Sequence, residues 1–121
     1  MTIKTIPHHF TVCKVADYSM TDFSAEYCFA GKTDEENSLV CMTSDTLPNT
    51  VKREDGWRGF RIEGELDFSL VGIMARISTV LAENGIAIFA LSTYNTDYIF
   101  VKEADFDKSA GVLRDNNYCV I

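Results

Sequence analysis

The stretch FRIEGELDFSLVGIMARISTVLAENGIAIFALSTYNTDYIFVK, Phe60 to Lys102, decides how the chain is read. Phe60 to Leu66 is a strand-like run, and after it Ile73, Ile77, Val80 and Leu81 recur at i, i+4, i+7 and i+8, the stripe of a helix lying on a sheet. Asn84 and Gly85 stop that helix, because glycine accepts the left-handed conformation that closes a helix. Ile86 to Leu91 and Tyr98 to Lys102 read as two further strands, joined by Ser92, Thr93, Tyr94, Asn95, Thr96 and Asp97. That cluster is more polar than a short hairpin requires.

Downstream, Phe106, Ala110 and Leu113 predict a second helix, with Asp105 and Asp107 in its first turn at the positive end of the helix dipole. Tyr118 to Ile121 supplies a last strand. Residues 58 to 121 therefore run β-α-β-β-α-β, the order of a ferredoxin-like sheet in the α+β class, with both helices on one face. In that order the strand after the first helix is expected beside the first strand and parallel to it, with its end at Ser92 and Thr93 near the loop LDFSLVGI, Leu66 to Ile73.

The first half has another texture. Phe10 to Val15, Glu26 to Lys32 and Ser38 to Thr43 are β-like, and no helical period is found among them. SDTLPNTVKREDG, residues 44 to 56, combines Pro48, Gly56 and a mixed-charge run and reads as a connecting segment. The expected division is residues 1–56, a β-rich unit that packs on the rest, and residues 57–121. Trp57 is expected to anchor the junction through its large apolar ring.

Composition excludes several classes of function. With 121 residues the chain is one ordinary domain, or two very small ones sharing a core, and its 46% hydrophobic content is ample for a globular interior. The net charge of −7, uninterrupted by any Lys or Arg cluster, repels a phosphate backbone, so nucleic acid is not the expected partner. No apolar run approaches the roughly 20 residues that span a bilayer, and MTIKTIPHHF lacks the apolar core of a signal peptide. No membrane partner and a cytoplasmic location are the expectations. Cys13, Cys28, Cys41 and Cys119 are scattered through strand-like runs without metal-ligand spacing and read as free thiols, and His8 and His9 read as surface residues. Neither a metal nor a cofactor is expected.

The chemistry gathers around the first helix. Its start presents unpaired N–H groups with partial positive charge, Ser69 is placed to cap it or meet a ligand, and Gly72 admits close approach to the backbone, which together suit a carboxylate. The hairpin cluster adds hydroxyls, a phenol and the Asp97 carboxylate, acceptors for an ammonium. An amino acid carries both groups. Each feature also has a purely structural reading, a capped helix and a polar turn that hydrogen-bonds to itself, and both readings stay open at this point. No nucleophile–base pair, metalloprotease, hydrolase or nucleotide-binding motif occurs, and LDFSLVGI lacks the cation that a phosphate-cleaving loop on this sheet needs. Catalytic residues are not expected, and the chain is not read as an enzyme.

The run GWRGFRIEGELDFSLVGIMARISTVLAENGIAIFALSTYNTDYIFVKEADFDKSAGVLRDNNYCVI, with DFSLxGI followed by FALSTYxTDYIxVK, resembles the small bacterial ACT-domain proteins built as paired ACT-like units, and is similar to ACT segments of the CASTOR-type arginine sensors. The resemblance implies a ferredoxin-like ACT fold over residues 57–121, with residues 1–56 a reduced or rearranged ACT-like, β-rich unit whose strands extend the same sheet. It implies a regulatory module that binds a small-molecule ligand, commonly an amino acid, at an interface between units, hence a homo-oligomer such as a dimer. Matched by motif, the implied ligand-binding residues are Ser69, Leu70, Val71, Gly72 and Ile73 from the loop, with Thr93, Tyr94 and Asp97 from the hairpin. No output domain accompanies the module, so a separate protein partner, or an adaptor role without a ligand, is the alternative expectation.

Overall fold

The computed structural model describes residues 1–63 and 72–121. Among them are seven strands, β1 (Thr2–Val15), β2 (Cys28–Lys32), β3 (Asn37–Met42), β4 (Thr50–Ile62), β5 (Ile88–Ser92), β6 (Asp97–Lys102) and β7 (Cys119–Val120). Two α-helices, α1 (Ile73–Glu83) and α2 (Phe106–Asp115), and two 3-10 turns, Thr43–Asp45 and Glu103–Asp105, complete the set. The chain divides into two compact units, a C-terminal one of Met1–Pro7 with Arg58–Ile121 and an N-terminal one of His8–Trp57. β1 and β4 have residues in both.

The C-terminal unit carries the β-α-β-β-α-β order, with hydrogen-bonded neighbours β7, β1, β4, β6 and β5 in that sequence. Two expectations are corrected here. β5 does not lie beside β4: β6 stands between them, and β5 pairs antiparallel with β6 from Ile88↔Val101 to Ser92↔Asp97. The crossover through α1 is a split one, which sets β5 one strand position away from β4, and the short turn after β5 folds β6 back antiparallel into the place between them. The chain's first residues, read as no strand at all, pair in parallel with β7 at Thr2↔Cys119 and Ile3↔Val120.

Both helices follow from their apolar stripes. Ile73, Ile77 and Leu81 of α1 and Ala110 and Leu113 of α2 enter one core with Phe60, Ile62, Ile99 and Val101. Each helix closes in the same way. Asn84 caps α1, Gly85 takes φ 71°, and the N–H groups of Ile86 and Gly85 donate to the carbonyls of Leu81 and Ala82 at 3.1 and 3.0 Å. In α2, Asn117 takes the left-handed place at φ 70°, and Tyr118 N–H reaches Leu113 at 3.1 Å. These are Schellman closures, in which a residue free to adopt positive φ returns two amides to orphan carbonyls. Phe106 stacks on Phe60 with ring centroids 5.0 Å apart, and the Arg58 guanidinium lies 4.0 Å over the Phe106 ring.

The N-terminal unit is built on β3, which pairs antiparallel with β1 from Phe10↔Met42 to Lys14↔Ser38 and with β2 from Cys28↔Cys41 to Lys32↔Asn37. Its small core joins Cys13, Val15, Leu39 and Cys41, with Tyr18 and Cys28 packed against them. Among the described residues it contains no α-helix. Residues 16–27 form an irregular loop instead, held by Tyr18 hydroxyl to Ser38 carbonyl at 2.8 Å and by Asn49 Nδ2 to Asp17 carbonyl at 3.0 Å.

The segment read as a connection becomes strand from Thr50 onward. Val51 to Asp55 are all exposed, so this part of β4 has no buried face to impress a period of two on the sequence. Its polar side chains are nevertheless placed: Asp55 accepts from the Thr11 hydroxyl at 2.6 Å and from Arg53 Nη2 at 3.0 Å. Those bonds hold the Asp55 carboxyl below its ordinary range, the Thr11 hydroxyl being the larger cause. Trp57 lies buried within the same strand. Among the described residues, no helix is long and apolar enough to cross a membrane.

Candidate functional site

The polar cluster between β5 and β6 is a tight hairpin tip. Its last strand pair is Ser92↔Asp97, and across that pair the Ser92 hydroxyl donates to the Asp97 carboxylate at 2.7 Å. Thr93 N–H donates to the Thr96 carbonyl at 2.9 Å, and the Thr93 hydroxyl reaches the same oxygen at 3.0 Å. Much of the hydrogen-bonding capacity that makes this sequence conspicuous is therefore used inside the turn.

One side chain reaches outward from the turn to another strand. Thr96 is 7% exposed, and its hydroxyl donates to the carbonyl of Ile62, the last residue of β4, at 2.7 Å. The hairpin tip is thereby held at the end of β4. Sequence reasoning included Thr96 in the cluster but not among the binding residues, and nothing in its neighbours marks a bond to a residue 34 positions earlier. Beside Ile62, the Arg61 guanidinium pairs with the Glu63 carboxylate at 3.1 Å.

Of the loop positions, Ser69, Leu70 and Val71 lie outside the described residues. Gly72 precedes α1 as its N-cap in the left-handed region at φ 80°, with no side-chain cap, and its carbonyl accepts the Arg76 N–H at 3.0 Å. The amides of Ile73, Met74 and Ala75 thus stand at the helix start, ahead of the first intrahelical bond, where partial positive charge collects. The Ile73 side chain is buried in the core, leaving its backbone N–H as the group it could offer a ligand. In the hairpin, Tyr94 is 77% exposed, Thr93 is exposed and Asp97 is half-buried. Helix start and hairpin tip belong to the same compact unit.

Other suggestive residues resolve differently. His8 Nε2 stands 3.8 Å from Glu26 Oε2, and the His8 ring tilts against Tyr27 at 6.0 Å, contacts that no sequence spacing foretold. In the N-terminal unit a hollow of about 200 Å³ is lined by Tyr27, Cys28, Leu39, Cys41 and Asp45, among others. Burial pushes the Cys41 thiol up to about 12, and nearby Cys13 and Asp45 add to the shift. A thiol so protonated is a poor nucleophile at neutral pH.

Comparison with solved structures agrees with this fold. The chain is similar to an Agobacterium tumefaciens protein known from an X-ray crystal structure, at 24% identity, covering 99% of this chain and 91% of that one with a TM-score of 0.87. It is similar to a Vibrio cholerae protein of unknown function described as a possible transport protein, at 20% identity, 94% and 88% coverage and a TM-score of 0.74. A Clostridium acetobutylicum aspartate kinase, described as an allosteric enzyme, matches at 15% identity and a TM-score of 0.63, covering 93% of this chain but 33% of the kinase. No curated protein matches the sequence. The ACT domain family model matches residues 52–115. More than half of the chain, including both helices and the whole hairpin, falls within that match, and the chain belongs to the ACT-domain family.

Proposed function

We propose that this chain is a non-catalytic regulatory module that binds an amino acid at one rim of its C-terminal unit and works as a homodimer in the cytoplasm. The observation that carries the reading is the Thr96 hydroxyl on the Ile62 carbonyl, which keeps the polar hairpin tip at the end of β4, within the unit that holds the start of α1. The α1 amides would receive the ligand carboxylate, as helix starts receive anions generally. Asp97, oriented by Ser92, would receive the ammonium group, and Thr93, Tyr94, Ser69, Leu70, Val71, Gly72 and Ile73 are the further proposed ligand-binding residues. Membership of a family that is generally regulatory supports the class of function, as does a shared fold with an enzyme described as allosteric. Ligand binding would act by favouring one arrangement of a bistable assembly over another.

The test is a thermal-shift screen of the purified chain against the common amino acids, followed by calorimetry on any that respond. A ligand that binds only the folded state raises the melting temperature, by an amount set by its concentration relative to Kd. One or two amino acids are expected to raise it, and Asp97→Ala is expected to abolish that shift while leaving the circular dichroism spectrum unchanged. An undiminished shift in Asp97→Ala rejects the hairpin wall. A flat screen at millimolar concentrations rejects amino-acid binding and leaves protein assembly without a ligand as the function to pursue.

A further inference from the structure

We infer that the hollow in the N-terminal unit is a binding site for a small organic amine that carries no carboxylate. Its lining falls entirely within His8–Trp57 and shares no residue with the hairpin tip or the helix start of the C-terminal unit. Between β1 and β2 the chain has the irregular loop of residues 16–27, where the C-terminal unit has α1 between β4 and β5. A helix would set a regular row of side chains on the sheet. This loop instead turns twice on itself, Ser19 N–H donating to Asp17 at 3.0 Å and Ser24 N–H to Asp22 at 2.9 Å, and a hollow of about 200 Å³ is left beside Cys28, Leu39 and Cys41. Tyr27, Leu39 and Leu47 give it an apolar wall. An apolar cavity of about 150 Å³ accommodates benzene, so this one has room for a single ring or a branched alkyl group with a short polar tail.

Charge selects the tail. Asp22 and Asp45 both line the hollow, and no lysine, arginine or histidine is among the described residues that do. Asp45 is half-buried and has neither a hydrogen bond nor an ion pair among the described residues. The Thr21 hydroxyl oxygen, on the same hollow, is buried without a hydrogen-bond partner among them, a costly state for a polar atom. An ammonium group brings three donors to these acceptors, and the bond to Asp45 is charge-assisted. The two thiols respond to the same field. Burial pushes Cys28 up, and the Asp22 and Asp45 carboxylates push it further, as Asp45 does at Cys41. A negative field that keeps thiols protonated also draws in a cation and turns away a carboxylate. An amino acid is therefore a poorer fit here than the amine without its carboxylate. Among the described residues no three His, Cys, Asp or Glu side chains converge as a metal ion requires, and the apolar wall offers contact that only an organic body can use.

The test is calorimetric titration of the full chain and of its Asp97→Ala variant with benzylamine, benzyl alcohol and phenylglycine, which share a ring and differ in charge. In both chains benzylamine is expected to bind about tenfold or more tighter than the alcohol, which lacks the charge. In Asp97→Ala, where the C-terminal rim is disabled, it is also expected to exceed phenylglycine, which adds a carboxylate, by about tenfold. Asp45→Asn should weaken benzylamine about tenfold with Tm unchanged, and Thr21→Val about threefold to tenfold. Asp34→Asn removes the same charge from the exposed tip of the β2–β3 hairpin and should change the affinity by less than about twofold. No binding at about 10 mM benzylamine, equal binding of benzyl alcohol, or equal losses in Asp45→Asn and Asp34→Asn overturns the site. Phenylglycine that matches benzylamine in Asp97→Ala overturns the exclusion of carboxylates. Benzylamine affinity that disappears in Asp97→Ala places the amine at the C-terminal rim and overturns the hollow as its site, whereas the amino-acid reading of that rim is decided by its own thermal shift.

Discussion

The hairpin of the N-terminal unit turns through Thr33, Asp34, Glu35 and Glu36, and that of the C-terminal unit turns through Thr93, Tyr94, Asn95 and Thr96. Strand for strand they correspond, Cys28 to Ile88 and Met42 to Lys102, and each is followed at once by a 3-10 turn. Both tips close with the same bond, the threonine N–H donating to the carbonyl three residues on, at 3.0 and 2.9 Å. The difference lies at the fourth turn position. Glu36 is exposed, whereas Thr96 is buried and bonded to Ile62. The segments beyond the hairpins differ as well. After Thr43–Asp45 the sequence Thr46-Leu47-Pro48 cannot continue a helix, because proline disfavours the helical state of the residue before it. After Glu103–Asp105, Phe106, Ala110 and Leu113 give α2 an apolar face to bury. Hairpin geometry is thus local in both units, while anchoring of the tip and cover for the sheet depend on what else each segment can bury.

The two units are expected to differ most in their cores. Leu81→Ala, in the helix-covered core, is expected to cost about 3–5 kcal/mol in chemical denaturation, and Leu39→Ala, beside the hollow of the helix-free unit, about 2–3 kcal/mol. A reversed order would mean that the helix-free unit is the more tightly packed of the two. Gly59 offers a second probe of the C-terminal core: an added Cβ would meet Phe100 Cε1 at 3.0 Å and Ile6 Cδ1 at 3.2 Å. Gly59→Ala should therefore lose about 1–3 kcal/mol by overpacking, and an unchanged melting temperature would show that these side chains yield freely.

The hairpin difference itself is tested by a matched pair. Thr96→Val keeps the shape but deletes the buried bond to Ile62 and should cost about 1–2 kcal/mol. Thr33→Val removes only exposed contacts to Glu35 and Glu36 amides and should stay within about 0.5 kcal/mol. Equal costs would erase the distinction between an anchored and an unanchored tip.

The smallest effect at neutral pH belongs to Cys41. Its thiol is pushed from an ordinary 9.0 up to about 12 by burial in the folded unit, so between those values the unfolded chain has released a proton that the folded one retains. The contribution of Cys41 to stability is constant below pH 9 and falls from there toward pH 12, by about 1.4 kcal/mol per pH unit at most. Denaturation midpoints at pH 8 and pH 10 should show the fall, and Cys41→Ala should flatten it. Cys13 and Cys28, also raised by burial, leave a residual slope in that variant.

Both helices, the closure of α1 and the two hairpins were legible because each is written in residues close together in sequence: an apolar stripe, a glycine tolerant of positive φ, a polar turn between β-rich runs. The candidate site was legible as residue types, with Gly72 at the helix start and Thr93, Tyr94 and Asp97 in the hairpin. That the Thr93 and Ser92 hydroxyls are turned inward was not, since the same side chains serve a ligand or a turn equally well. Tertiary structure alone decided three things. Met1–Pro7 join the C-terminal unit through β7, β6 separates β5 from β4, and Thr96 bonds Ile62. Each is a long-range pairing of backbone or side chain, and such pairings leave no period in the sequence, because their partners are selected by the packing of the whole unit.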